Sequence, residues 1–395
     1  MPTPTQKLFE PKSLGILSLS LLTMATGIVS PTIPAIAREY PHVSESLIEQ
    51  VSTIPSFLMA IFILISGIMV AKIGTKKTVL TGLWLVVIST GLSLIAPNIT
   101  VLLVARALLG AGLGMYNSLA VSLITVSYSG NKQSKLLGWQ NAFQGIGALV
   151  GSLLVSALLL ISWRASFAIY AVAIVILYLY QRNVPEISMT SSKTKTATST
   201  TQTNWKIIAA AGITLFFLMV AYMIAIVKIP TYLLENHICS TSTSSLLIGL
   251  VSLLTIVAGI TFGDIYNRLR YWLLPMAAGL MAVSFGMLTF SPTMVTGIIS
   301  TSLIGLSFGL YVPFIFRVVS DAAAPSQSDI VAKCMMVMSN LANFSSPFFA
   351  SALSGGNHGT IAIFNGGFIG LVIVLIATIA VGFTSQLTQE EKTEI

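Results

Sequence analysis

Runs of about twenty apolar residues recur from residue 13 to residue 383, and no other feature narrows the fold of this chain so far. A helix of that length crosses the hydrocarbon core of a bilayer. Inside that core only helices and closed barrels satisfy their own backbone groups. Twelve candidate spans can be read: residues 13–37, 50–71, 78–97, 99–126, 136–162, 165–180, 207–227, 244–263, 271–290, 294–316, 333–353 and 360–383. Two apolar runs are too long for one crossing. The first is broken at Ser291, Pro292 and Thr293, and the second between Ser354 and Gly359, both with turn-forming residues. Composition agrees. Of 395 residues 55% are apolar and only 8% charged, against roughly 25% charged in soluble domains. So few charges cannot cover a water-facing surface. The expectation is an all-α membrane protein whose solvent is the lipid bilayer.

The net charge of +8 suggests a nucleic-acid partner only until the charges are placed. They lie between the apolar runs and form no basic face, so no nucleic acid is expected. The two cysteines, Cys239 and Cys334, make neither a disulfide framework nor a metal-ligand spacing, and no cofactor is expected. The polar start MPTPTQKLFEPKS leads into a full-length span and does not resemble a cleavable signal peptide. Sixteen of the twenty Lys and Arg residues fall on the N-terminal side of the alternating spans, leaving Arg38, Arg106, Arg164 and Lys228 for the other side. The positive-inside rule then places both termini in the cytoplasm. Trp139, Trp163, Trp205 and Trp272 fall near span ends, where interfacial tryptophans belong. Compactness and short outer loops suggest a bacterial plasma-membrane protein, a multi-pass monomer.

One long polar connection, residues 185–205, is rich in Ser, Thr and Lys and reads as a flexible cytoplasmic linker. It divides the chain into residues 1–184 with six spans, and 206–395 with six spans and a short cytoplasmic tail. Four pairs of segments match across it. Thr32, Pro34 and Ala35 match Lys228, Pro230 and Thr231; Gly67 and Ala71 match Gly259 and Gly263; Gly110, Gly114 and Tyr116 match Gly305, Gly309 and Tyr311; Gln140, Asn141 and Gln144 match Ser339, Asn340 and Asn343. Their offsets lie between 192 and 199 residues, in the right order. The expected architecture is therefore twelve transmembrane helices in two pseudo-symmetric six-helix halves. Such repeats place a binding site at the repeat interface near the bilayer midplane.

Three motifs carry a family resemblance. Between spans 2 and 3 stand Gly67, Ala71, Lys72, Gly74, Lys76 and Lys77. In span 4, Arg106 precedes Gly110, Gly112 and Gly114, and a charge inside a span is expensive. In span 5, Gly138, Gly147 and Gly151 are followed by Ser152. Together they resemble the major facilitator superfamily, and within it the twelve-helix drug:proton antiporter-like branch. The resemblance covers essentially the whole chain. It implies a major facilitator fold, a cytoplasmic latch around Gly67, Lys72, Gly74 and Lys76 with a counterpart at Asp264 and Arg268, and a coupling or anion-binding role for Arg106. Two departures weaken those implications. Ala71 replaces the acid of the latch, and Ser152 replaces the proline of the antiporter motif. The turn at Ser162, Trp163 and Arg164 is also common in this branch.

Polar residues within spans mark a candidate substrate cavity: Tyr116 and Asn117 on span 4, Gln140, Asn141 and Gln144 on span 5, Tyr311 on span 10, and Asn340 and Asn343 on span 11. Gln140 and Gln144 share a helical face, as do Asn340 and Asn343. Interhelical hydrogen bonding is the plainer role for any one of them. None of the twelve Asp and Glu residues lies near the centre of a span. The deepest is Glu49, which leaves Glu49 as the candidate proton carrier, with Arg106 and Lys228 as the membrane cations. Cations and amides favour neutral or anionic substrates. The first reading is a secondary transporter of small molecules by alternating access, exporting drug-like or amphipathic compounds with protons as the coupling ion. The alternative is a facilitator or symporter for one metabolite such as a sugar or organic anion. A membrane enzyme lacks any catalytic cluster here, and a channel lacks a filter.

Overall fold

The computed structural model describes residues 10–23, 27–187, 203–290, 293–324, 327–354 and 359–393, and every regular element in them is helical. Thirteen α-helices follow one another: α1 Pro11–Ser18, α2 Ile33–Glu39, α3 Glu45–Ile73, α4 Thr75–Ile95, α5 Ile99–Ser127, α6 Gly130–Leu158, α7 Val172–Asn183, α8 Trp205–Glu235, α9 Thr241–Leu269, α10 Leu273–Phe290, α11 Met294–Ala322, α12 Ser328–Leu353 and α13 Thr360–Thr393. Among the described residues nine stretches are long and apolar enough to cross a membrane. One of them, Thr241–Phe290, is 50 residues long and turns back at Arg270, where φ is 45°. Large apolar side chains face outward along the bundle, among them Leu64, Trp84, Ile260 and Phe290. That surface suits lipid rather than water.

The first expected span departs from a single helix. α1 passes into a 3-10 turn at Leu19–Leu22, and a second 3-10 turn at Ser30–Thr32 leads into α2. Pro31 and Pro34 remove backbone donors there. Ser18, Ser30 and Thr32 each turn a hydroxyl back onto the carbonyl three residues earlier, favouring the tighter turn. The sixth span likewise begins as a 3-10 segment, Ala165–Ala171, before α7. Most of the expected linker and the centre of the 354–359 loop lie outside the described residues.

Two buried apolar clusters form, one from residues 16–184 and one from residues 208–371. Their internal contacts repeat. A Cβ on Gly110 or Gly114 of α5 would lie 2.0 or 2.7 Å from the carbonyl oxygens of Pro55 and Met59 in α3; a Cβ on Gly305 or Gly309 of α11 would meet the carbonyl oxygens of Val251 and Thr255 in α9 at 2.4 and 2.6 Å. Ser89 donates to the Ala105 carbonyl at 2.6 Å, and Ser284 donates to that of Ser300 at 3.1 Å. Equivalent residues are 195 or 196 positions apart, as 110 and 305 or 55 and 251 are. The same sequence spacing therefore yields the same close backbone approach twice. The clusters meet where α3 packs on α12, with Phe57 4.6 Å from Phe344 between ring centroids, and where α6 packs on α9.

Candidate functional site

Arg106 lies about two turns into α5, counted from its start at Ile99, and is fully buried. Its position follows from a proline one helix away. Pro55, inside α3, has no N–H to give the carbonyl four residues back, so the helix leaves the Val51 oxygen without its usual donor. Arg106 Nε supplies one at 2.8 Å. Its Nη2 donates to the Tyr170 hydroxyl at 3.2 Å, and its guanidinium lies over the rings of Tyr170 and Phe167, 5.0 and 5.4 Å from their centroids. The charge is thus held by a backbone oxygen and two aromatic faces within one cluster of helices.

The eight expected cavity residues occupy several settings. Asn117 is half-buried and its Nδ2 donates to Met59 Sδ at 3.5 Å, a contact between α5 and α3. Tyr116 is fully buried against α4, where a Cβ on Gly82 would lie 3.1 Å from its ring. Tyr311 is fully buried and packs edge-on to Phe308. Gln140 is buried and Gln144 half-buried on α6, while the side chain of Asn141 lies outside the described residues. Asn340 bonds the Met336 carbonyl of its own helix at 2.8 Å. Asn343 Oδ1 is buried without a hydrogen-bond partner among the described residues. α6 and α12 both stand where the clusters meet, against α9 and α3. Two surface cavities, of about 570 and 260 Å³, are lined by other residues than these eight.

The glycines divide in the same way. A Cβ on Gly147 would sit 2.0 Å from the Leu21 carbonyl oxygen, and one on Gly151 would sit 2.4 Å from Ile28. Gly67 and Gly138, in contrast, have nothing within 4 Å of a Cβ among the described residues, so no close packing there explains them. Gly74 has φ of 86°, a conformation that favours glycine. Beside it Glu186 accepts hydrogen bonds from the Thr75 and Lys76 N–H groups at 2.8 and 3.2 Å, and Lys76 Nζ donates to the Gln181 carbonyl at 2.9 Å. A carboxylate from beyond α7 therefore caps α4, in a loop whose family acid is replaced by Ala71. Lys72, Asp264 and Arg268 are exposed.

A charged cluster joins α3 to α8 at the end of the bundle opposite this basic loop. Lys228 Nζ pairs with Glu49, and with Glu45 at 2.5 Å. Glu49 and Lys228 are 2% and 3% exposed, whereas the Glu45 side chain is 46% exposed. Glu45 went unnoticed in the sequence, although it lies one turn from Glu49 and so on the same face. At the same end Ser245 donates to the Ser152 carbonyl at 2.9 Å and Ser156 to that of Ser242 at 2.8 Å, tying α6 to α9. The 260 Å³ cavity lies just outside, with Glu45 and Glu235 in its lining. Removing one member of a buried ion pair leaves an uncompensated charge, so such a cluster holds two elements together only while all its charges are kept. Nearby, Glu39 accepts from Arg164 at 2.6 Å and from Trp163 Nε1 at 2.7 Å. The bonds from Arg164 and Trp163 hold its carboxyl below the usual glutamate range.

Two helical clusters with repeated internal packing, built from apolar membrane-length helices and joined through buried polar contacts, define a polytopic membrane protein of the transporter class. The comparisons place it more closely: the sequence profile of the Major Facilitator Superfamily matches residues 15–347, and the chain belongs to that family. It is a transporter rather than an enzyme. A stretch of 166 residues is 31% identical to the multidrug efflux protein YfmO of Bacillus subtilis, covering 41% of each chain. Another of 255 residues is 24% identical to the sialic acid transporter NanX of Escherichia coli, covering 62% of this chain and 61% of that one. These matches thus span two-fifths to three-fifths of the curated relatives. The fold is similar to that of the nucleoside transporter NupG, with a TM-score of 0.73 at 12% identity over 93% of this chain and 98% of that one. A D-xylose-proton symporter gives 0.68 at 15% identity over 92% and 96%.

Proposed function

We propose that this protein is a secondary active transporter of small organic molecules that works by alternating access across the plasma membrane. Residues 1–184 and 206–395 act as the two six-helix halves, twelve transmembrane helices in all, with 185–205 as a cytoplasmic linker, both termini cytoplasmic and a monomer as the working unit. The observation that carries this reading is the Lys228–Glu49–Glu45 cluster, which bridges α8 and α3 at one end of the α3 span. Making it closes that end and breaking it opens it. Protonation of Glu49 removes the buried one of the two carboxylate charges that Lys228 faces and leaves only the half-exposed Glu45, so the same group couples proton movement to opening. Drug-like or amphipathic export is the reading supported by the 31% identity to a multidrug efflux protein. Import of one metabolite is supported instead by the lack of a mid-span acid and by the longer stretch similar to a sialic acid transporter. The amides at Asn117, Gln140, Asn141, Gln144, Asn340 and Asn343, with Tyr116 and Tyr311, are proposed to meet substrate once the halves part.

Uptake of a substrate panel into inside-out membrane vesicles, with and without an imposed proton gradient, separates the two. Gradient-dependent uptake of several unrelated amphipathic compounds supports export. Transport of one hydrophilic metabolite alone replaces it with the second reading, and no transport of any compound contradicts both.

A further inference from the structure

We propose that the groove between α1 and α7 is a binding site for an acyl chain of an anionic phospholipid, with the lipid phosphate held by Arg182. The groove has a volume of about 570 Å³, and Leu14, Ser18 and Leu21 on one side face Tyr178 and Leu179 on the other, with Arg182 in its lining. Its origin lies in how α1 is pinned. A Cβ on Gly15 would meet Val184 at 2.8 Å, which fixes the start of α1 to the end of α7. Leu21 is fixed to α6 by its carbonyl, 2.0 Å from the Cβ position of Gly147. Between these points α1 gives way to the 3-10 turn Leu19–Leu22, and the surface between the helices is left unfilled. Leu14 and Tyr178 are 41% and 58% exposed, so the groove opens on the outside of the bundle, where the solvent is lipid.

Arg182 gives this apolar trough a charged mouth. It lies in the last turn of α7, and its Nη1 donates to the Tyr178 hydroxyl at 2.8 Å. That bond, one turn back along the helix, folds the guanidinium over the groove rather than away from it. Glu186, four residues on, is engaged with the N–H groups of Thr75 and Lys76. A cation at the rim of an apolar inter-helix groove matches an anionic headgroup and its chain. Arg also presents a planar fork of donors suited to phosphate.

The test uses the full-length protein in neutral detergent, titrated with phosphatidylglycerol, phosphatidylcholine or glycerophosphoglycerol, with thermal midpoint and native mass spectrometry as readouts. Phosphatidylglycerol is expected to bind about fivefold more tightly than phosphatidylcholine, the weight of one basic residue at a membrane surface, and the headgroup without chains is expected not to bind. Arg182→Gln should abolish that preference while keeping chain binding. Leu14→Trp, at an exposed position, should fill the groove and weaken both lipids. Equal binding of the two lipids by the wild type, a preference that survives Arg182→Gln, or binding of the bare headgroup would each overturn the proposal.

Discussion

Arg106 donates its Nε–H to the carbonyl of Val51 at 2.8 Å, and that carbonyl needs a donor because Pro55 cannot supply one. The pairing makes Arg106 and Pro55 energetically dependent on each other. Arg106→Ala is expected to destabilise the protein by about 1–3 kcal/mol, the penalty for a buried group left unsatisfied. Arg106→Lys should recover part of this, since an ammonium lacks the fork that reaches both Val51 and Tyr170. In a Pro55→Ala background, where the helix supplies its own donor, the loss from Arg106→Ala should shrink. A thermal-unfolding double-mutant cycle measures the coupling; strictly additive effects would contradict it.

Glycine substitutions should sort by backbone approach rather than by motif. Gly147→Leu and Gly110→Leu place a side chain where a carbonyl oxygen already lies 2.0 Å from the Cβ position, and loss of folded protein and of transport is expected. Gly138→Ala and Gly67→Ala meet nothing within 4 Å and should fold and transport normally. Fluorescence-detected size-exclusion profiles and transport assays read both. Normal behaviour in Gly147→Leu would contradict the packing of α6 on the first span.

Much of the fold was legible because membrane helices write themselves as long apolar runs. The glycines that pack α5 on α3 and α11 on α9 showed the repeat because close backbone approach admits little else. Less visible was the break in the first span, since a 3-10 turn keeps the same apolar composition as a helix. Glu45 was overlooked beside Glu49 because pairing depends on Lys228, 183 residues away in sequence. The burden on Arg106 is likewise invisible until α3 brings Pro55 and Val51 beside it. Amide residues mark polar positions in spans, but composition cannot distinguish Asn340, which bonds its own helix, from a residue facing a cavity.

Glu186 should matter through the α3–α4 loop. Its carboxylate caps Thr75 and Lys76 beside Gly74, and Glu186→Ala is expected to reduce stability by about 0.5–2 kcal/mol, the range for loss of a helix N-cap. Glu186→Gln, which keeps one acceptor oxygen, should lose less. Thermal midpoints measured in parallel check the order; equal midpoints for wild type and Glu186→Ala would remove the cap from the account.

Lys228→Met should be more damaging than either glutamate substitution. It strands Glu49 as a buried charge, with an expected loss of about 3–5 kcal/mol. Combining it with Glu49→Gln removes the stranded charge and should restore much of the folded yield. Size-exclusion recovery of the single and double variants tests this, and a double variant no better than Lys228→Met would show that the pair is not coupled.

The central claim, that the Lys228–Glu49 contact links proton movement to the opening of one end of the bundle, is tested most directly in proteoliposomes with a substrate identified from the vesicle panel. Wild-type and Glu49→Gln protein are compared for exchange without a gradient and for accumulation under an imposed pH gradient. Both should exchange substrate, and only the wild type should accumulate it. Equal gradient-driven accumulation by Glu49→Gln would contradict the claim.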